Sequence, residues 1–200
     1  KNPLILFTGV DSCTELEQAV SVARQACCDN IIILRCTSAY PAQSTHSNIA
    51  TIPHLRQAFG CQVGISDHTA GIGVSVASVA LGATLIEKHF VLDRQAGGVD
   101  ASFSLEPDEL AYLVLETKRA YQALGQVTYG GTQAEEKSKQ YRRSIYVSEN
   151  VQQGQVLNAQ NLRIVRPAFG LAPKNWDKVL GKIAKRTLLK GTPLDWSMFE

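Results

Sequence analysis

No apolar run in this sequence approaches the roughly 18 residues that a membrane-spanning helix needs. No C-x-x-C pair marks a zinc site or a redox motif. The five cysteines, Cys13, Cys27, Cys28, Cys36 and Cys61, are odd in number and confined to the first third, unlike a secreted disulfide framework. Reduced, mostly buried thiols are the expectation. Aromatic residues are sparse, and those of the C-terminal part (Tyr141, Tyr146, Phe169, Trp176, Trp196, Phe199) form no RNA-binding signature, which argues against a nucleic-acid partner. Lys1-Asn2-Pro3-Leu4 leads into a strand-like run without a signal-peptide pattern. A cytoplasmic chain with no membrane partner is expected.

What is present is an ordinary globular composition, with 44% hydrophobic residues, enough to build a core. Charge is unevenly spread. Residues 1–136 carry 8 basic and 14 acidic side chains, and residues 137–200 carry 12 and 4, so the two parts are -6 and +8. A basic module facing an acidic surface or an anionic ligand would have this distribution.

Short apolar runs alternate with helical patterns. Leu4–Phe7 precedes Ser12–Cys28, Ile31–Cys36 precedes Asn48–Phe59, Cys61–Ile65 precedes Gly71–Leu81, and Thr84–Lys88 precedes Pro107–Leu124. This repeated strand-helix unit predicts an α/β fold, and Ile31-Ile32-Ile33-Leu34 has the two-sided apolarity of a covered parallel strand. Ser12 with Glu15 forms a capping box at one helix start, and Pro107 suits a first helical turn. Four such units are too few to close a (β/α)8 barrel; if the fold is a TIM barrel, the chain holds its second half, residues 1–125. Gly125, Gly130 and Gly131 mark a linker over 126–139, and short alternating segments with frequent turns predict a small, mostly β domain over 140–200.

Polar residues follow each predicted strand: Thr8-Gly9, Thr37-Ser38 with Tyr40, Ser66-Asp67-His68-Thr69, and Glu87-Lys88-His89. In parallel α/β folds that end of the sheet carries the active site. Ser66 and His68, like Glu87 and His89, are two apart and share a strand face. Two neutral imidazoles would leave coordination positions open for a catalytic metal, although a strand histidine is more commonly a hydrogen-bonded core residue. Spacing alone leaves both readings open.

Longer motifs carry more. Cys36-Thr37-Ser38-Ala39-Tyr40-Pro41, Gly64-Ile65-Ser66-Asp67-His68-Thr69, Ile86-Glu87-Lys88-His89-Phe90, Gly98-Val99-Asp100 and Ser104-Leu105-Glu106-Pro107 resemble the N-acetylneuraminate (sialic acid) synthase family. Arg142-Arg143-Ser144, Arg166-Pro167 and Gly191-Thr192-Pro193-Leu194 resemble the antifreeze-like (SAF) domain that follows the barrel in these enzymes. The resemblance implies a transferase that condenses phosphoenolpyruvate with the open-chain aldehyde of an N-acetylated amino sugar. Water adds, and phosphate leaves by C–O cleavage to give a nine-carbon 2-keto acid. It further implies that His68 and His89 bind a divalent metal, usually Mn2+ with Mg2+ or Co2+ as alternatives, and act in catalysis with Glu87. Ser66 would contact phosphoenolpyruvate, Tyr40 and Asp100 would lie on the sugar side, Ser38 would be a further substrate-binding residue, and Arg166 would reach into the active site of the other subunit of a domain-swapped homodimer.

Within the family, Gly97–Ser104, Cys36-Thr37-Ser38 and Gly170-Leu171-Ala172-Pro173-Lys174 look more like pseudaminic acid synthases, implying 2,4-diacetamido-2,4,6-trideoxy-L-altrose as the sugar. N-acetylneuraminate, legionaminate and spore-coat-type synthases are the alternatives, as is a non-catalytic fragment or sugar-binding module. Phe7 stands where serine is common, Ser38 where asparagine is, and Ala168 where glycine is. With half of the barrel absent, the chain alone is expected to be inactive.

Overall fold

The computed structural model describes residues 2–200. They divide into two compact units, the first ending at Gln126 and the second spanning Val127–Glu200. In the first, four strands, β1 (Leu4–Phe7), β2 (Ile31–Cys36), β3 (Gln62–Asp67) and β4 (Ile86–Lys88), form one sheet in the order β1-β2-β3-β4, every pair parallel. They alternate with helices α1 (Cys13–Gln25), α2 (Thr51–Phe59), α3 (Gly73–Ala80) and α4 (Pro107–Leu124). This is an open, curled half of a (β/α)8 barrel, as expected from the repeated unit.

Strand alternation sorts the side chains. Ile31 and Ile33 of β2 and Val63 and Ile65 of β3 pack against Leu16, Val20 and Ala23 of α1 and Ile52, Leu55 and Phe59 of α2. The intervening residues, Ile32, Leu34, Gly64 and Ser66, therefore face the other side, which in a barrel is the interior. Gly64 is required there: a Cβ would lie 2.3 Å from the Leu85 carbonyl oxygen and 2.6 Å from Leu34 Cδ2.

Helix boundaries follow local chemistry. The Ser12–Glu15 capping box is formed, and Pro107 opens α4. Helix α1 stops at Gln25 rather than running to Cys28, because Cys27 adopts a left-handed φ of 58°. Helix α2 starts at Thr51 rather than Asn48 for the same reason, since Asn48 has φ 44°. The cysteines correct one expectation: only Cys36 is buried, whereas Cys13 and Cys27 at the two ends of α1 are exposed and Cys28 and Cys61 are half-buried.

The second unit is a small β module. Strands β5 (Ser144–Val147) and β6 (Leu162–Val165) pair antiparallel, and single bridges such as Val151 to Leu188 and Ala184 to Phe199 extend the network. Ile145, Val147, Val151, Leu157, Leu162, Val179, Leu188 and Leu194 form its core. Gly170 lets backbones meet, since a Cβ would approach the Ile145 carbonyl oxygen to 2.3 Å. This unit also includes a 3-10 helix, Gln133–Tyr141, opened by a Thr132–Glu135 capping box. No helix among the described residues is long and apolar enough to cross a membrane.

Candidate functional site

At the C-terminal ends of β3 and β4 the ladder pairs Ser66 with Glu87, and Ser66 Oγ donates to Glu87 Oε1 at 2.8 Å. One step beyond the ladder, His68 and His89 bring their ring centroids to 5.1 Å in an edge-to-face arrangement. His68 is buried. Its Nδ1 is 2.9 Å from the Thr37 carbonyl oxygen, an atom that can only accept, so Nδ1 carries a proton, and Nε2 points the other way, 3.5 Å from Ser66 Oγ. Asp100 Oδ2 faces His89 Nδ1 at 3.6 Å, which turns the Nε2 edge of that ring away from the carboxylate. Imidazoles whose outer nitrogens are engaged by a carbonyl or a carboxylate are the arrangement found around bound divalent metals.

Aromatic rings enclose the pair. Tyr40 stacks at 4.2 Å from His68 and 5.9 Å from His89, and Phe103 lies 5.1 Å from His89. Asp100 reaches the site because it adopts a left-handed φ of 64°, within the Asp and Asn range but strained for most residues, at the start of the 3-10 turn Ala101–Phe103. It is a turn residue that also faces His89.

The structure thus brings Tyr40, Ser66, His68, Glu87, His89 and Asp100 together. Ser38 is exposed and lies near Gly9, whose Cβ position would be 3.7 Å from Ser38 Oγ. Arg166 belongs to the second unit, where it is exposed just after β6. Glu87 is exposed on β4, the last strand of the sheet. Among the described residues no group of three or more His, Cys, Asp or Glu side chains converges as a metal cage.

Two features escaped the sequence reading. Phe103, which lies within the Gly97–Ser104 motif but was given no role there, is buried beside His89. On the helix side of the same strand ends, Asp67 and Lys88 form an ion pair at 3.3 Å with side chains 1% and 3% exposed. Strand alternation could have found this pair, because charges at helix-facing positions of covered strands must be partnered.

Comparison with known proteins identifies the family. The NeuB family profile matches residues 1–129, and the SAF domain profile matches residues 142–200. The chain belongs to the NeuB family. It is 36% identical over 199 residues to a pseudaminic acid synthase of Campylobacter jejuni, covering 100% of this chain and 58% of that protein. It is 38% identical over 186 residues to the N,N'-diacetyllegionaminic acid synthase of the same species, covering 92% and 56% respectively. Among solved NeuB-like structures, the spore coat polysaccharide biosynthesis protein SpsE of Bacillus subtilis superposes with a TM-score of 0.60 at 29% identity, covering 100% of this chain and 61% of that one. The N-acetylneuraminic acid synthetase of Leptospira borgpetersenii gives 0.62 at 37% identity over 68% of this chain and 47% of the other. The chain therefore spans less than two thirds of the length of these relatives.

Proposed function

We propose that the chain forms the metal-binding half of a phosphoenolpyruvate-dependent nonulosonic acid synthase, with the SAF domain attached. The observation that carries this reading is the convergence of Ser66, Glu87, His68, His89, Tyr40 and Asp100 at one end of a parallel sheet. That convergence combines with membership of a family whose relatives include pseudaminic, legionaminic and neuraminic acid synthases.

In this reading His68 and His89 present Nε2 lone pairs to a divalent cation, manganese foremost. The cation supplies Lewis acidity toward the aldehyde oxygen of the open-chain sugar. The protein's own groups do the rest. Ser66 contacts phosphoenolpyruvate, and Glu87, hydrogen-bonded to Ser66, orients a water or holds a proton at its carboxylate. Asp100, Tyr40 and Ser38 accept or donate to sugar hydroxyl and acetamido groups, and the Tyr40 and Phe103 rings exclude water from the histidine pair. Arg166 enters from the SAF domain of a partner subunit, with the +8 and -6 segments favouring that association in a cytoplasmic homodimer. The preferred sugar is 2,4-diacetamido-2,4,6-trideoxy-L-altrose, on the motif similarities in Gly97–Ser104 and Gly170–Lys174.

Apolar side chains on β1 remain uncovered, Leu4, Ile5 and Phe7 among them, as expected of a sheet that continues in further strands. The chain alone is therefore inactive in this reading. The test is phosphate release from phosphoenolpyruvate with Mn2+, comparing the full-length protein with residues 1–200 alone. The full-length protein should turn over the altrose-type sugar and the chain alone should not. Turnover with N-acetylmannosamine only would overturn the sugar assignment, and no release with any 2-acetamido sugar would overturn the synthase reading.

A further inference from the structure

Lys88 immediately precedes His89, yet its ammonium group grips both neighbours of His68. Nζ lies 3.3 Å from Asp67 Oδ2 and donates to the Thr69 carbonyl oxygen. The carboxylate at the centre is held from three further directions. Asp67 Oδ1 accepts from Thr69 N at 2.9 Å and from Thr69 Oγ1 at 2.7 Å, and Oδ2 accepts from Ser75 Oγ, in the first turn of α3, at 2.6 Å. All of these groups lie on the helix side of the sheet, behind the histidines, because alternation places Asp67 opposite Ser66 and His68, and Lys88 opposite Glu87 and His89.

The position of this network matters. The β3–β4 ladder ends at the pair Asp67 and Lys88, and past that point the two strands bond elsewhere: the His68 carbonyl accepts from Ala42 N, and the His89 carbonyl from Leu105 N. The ion pair is thus the last cross-link before the two imidazoles. A buried pair is not an efficient source of stability, because two well-packed apolar side chains of similar volume would do as well or better. What an ion pair with four directional partners supplies, and an apolar pair does not, is a fixed geometry.

We propose that Asp67 and Lys88 are positioning residues that hold His68 and His89 at the separation and orientation needed to share one divalent cation. The inference rests on the reading of those histidines as metal ligands. Neither Asp67 nor Lys88 touches the cation; they act through the strand ends that carry the rings.

The test is Mn2+ affinity, followed by electron paramagnetic resonance on the full-length protein well below its unfolding temperature. Wild type should bind one ion, and His68→Ala should abolish binding. The paired substitution Asp67→Asn with Lys88→Met removes both charges at similar volume. It should fold, by circular dichroism and melting, yet lose about 10- to 100-fold in Mn2+ affinity, the range typical of lost support behind a metal ligand. A folded pair variant with wild-type affinity would overturn the inference while leaving the metal reading intact. Should the pair variant not fold, Ser75→Ala decides, because it removes one hydrogen bond from Asp67 and leaves the ion pair. A weaker affinity in the folded Ser75→Ala protein supports the inference, and an unchanged one overturns it. Absence of Mn2+ binding by wild type would instead overturn the ligand assignment, and this inference with it.

Discussion

Ser66 Oγ donates to Glu87 Oε1 at 2.8 Å across the β3–β4 ladder, so the hydroxyl expected to meet phosphoenolpyruvate and the carboxylate expected to handle a proton are already one unit. Their roles should separate kinetically. Glu87→Gln in the full-length protein should lower the kcat for phosphate release by about a hundredfold, the lower end of what a positioned acid or base contributes, with little change in the KM for phosphoenolpyruvate. Ser66→Ala should chiefly raise that KM. Steady-state kinetics on the two variants checks this, and a normal kcat for Glu87→Gln would remove the carboxylate from the chemistry.

Asp100 faces His89 Nδ1 at 3.6 Å from a backbone held at φ 64°. Asparagine tolerates that conformation, so Asp100→Asn should leave folding untouched while weakening the hold on the ring. Mn2+ affinity should fall about tenfold, as is typical when the partner of a ligating histidine is lost. Titration with Mn2+ reads this directly.

Two glycines mark backbone contacts that no side chain can replace. An alanine Cβ at Gly64 would lie 2.3 Å from the Leu85 carbonyl oxygen, and one at Gly170 would lie 2.3 Å from that of Ile145. Each substitution should destabilise its own unit by about 2–3 kcal/mol, the scale of overpacking in a filled interior. Gly73→Ala is the control, since nothing lies within 4 Å of its Cβ position and it opens α3. Thermal unfolding should show the first two variants lowered and the control unchanged or slightly raised.

The Ser12–Glu15 capping box gives a pH dependence with a defined sign. Hydrogen bonds from the Ser12 hydroxyl and backbone amide hold the Glu15 carboxyl below its ordinary value of 4.5. A carboxylate lowered in the folded state contributes stability that is fully present above 4.5 and is lost as the pH falls through the lower folded value. Carboxyl NMR titration should place the Glu15 midpoint below 4.5. Ser12→Ala should move it part of the way back, since one of the two donors remains.

Much of the first unit was legible because its signals are local. The apolar runs at Leu4–Phe7 and Ile31–Cys36 are strands with those very bounds, and α4 starts at Pro107. Where the sequence reading overshot, as at Cys27 and Asn48, the cause was a backbone angle that composition does not announce.

By itself the amino-acid order determined the repeated strand-helix unit, the family, and the facing of Ser66, His68, Glu87 and His89, since all of these follow from a period of two, from caps and from motif spacing. Only the tertiary structure decided that the His68 and His89 rings approach to 5.1 Å, that Asp100 arrives from a distant turn, and that Lys88 crosses to both neighbours of His68. Those relationships depend on strand register and on loops folding back over the sheet. Register is set by summed packing across residues far apart in the chain, which no single motif encodes.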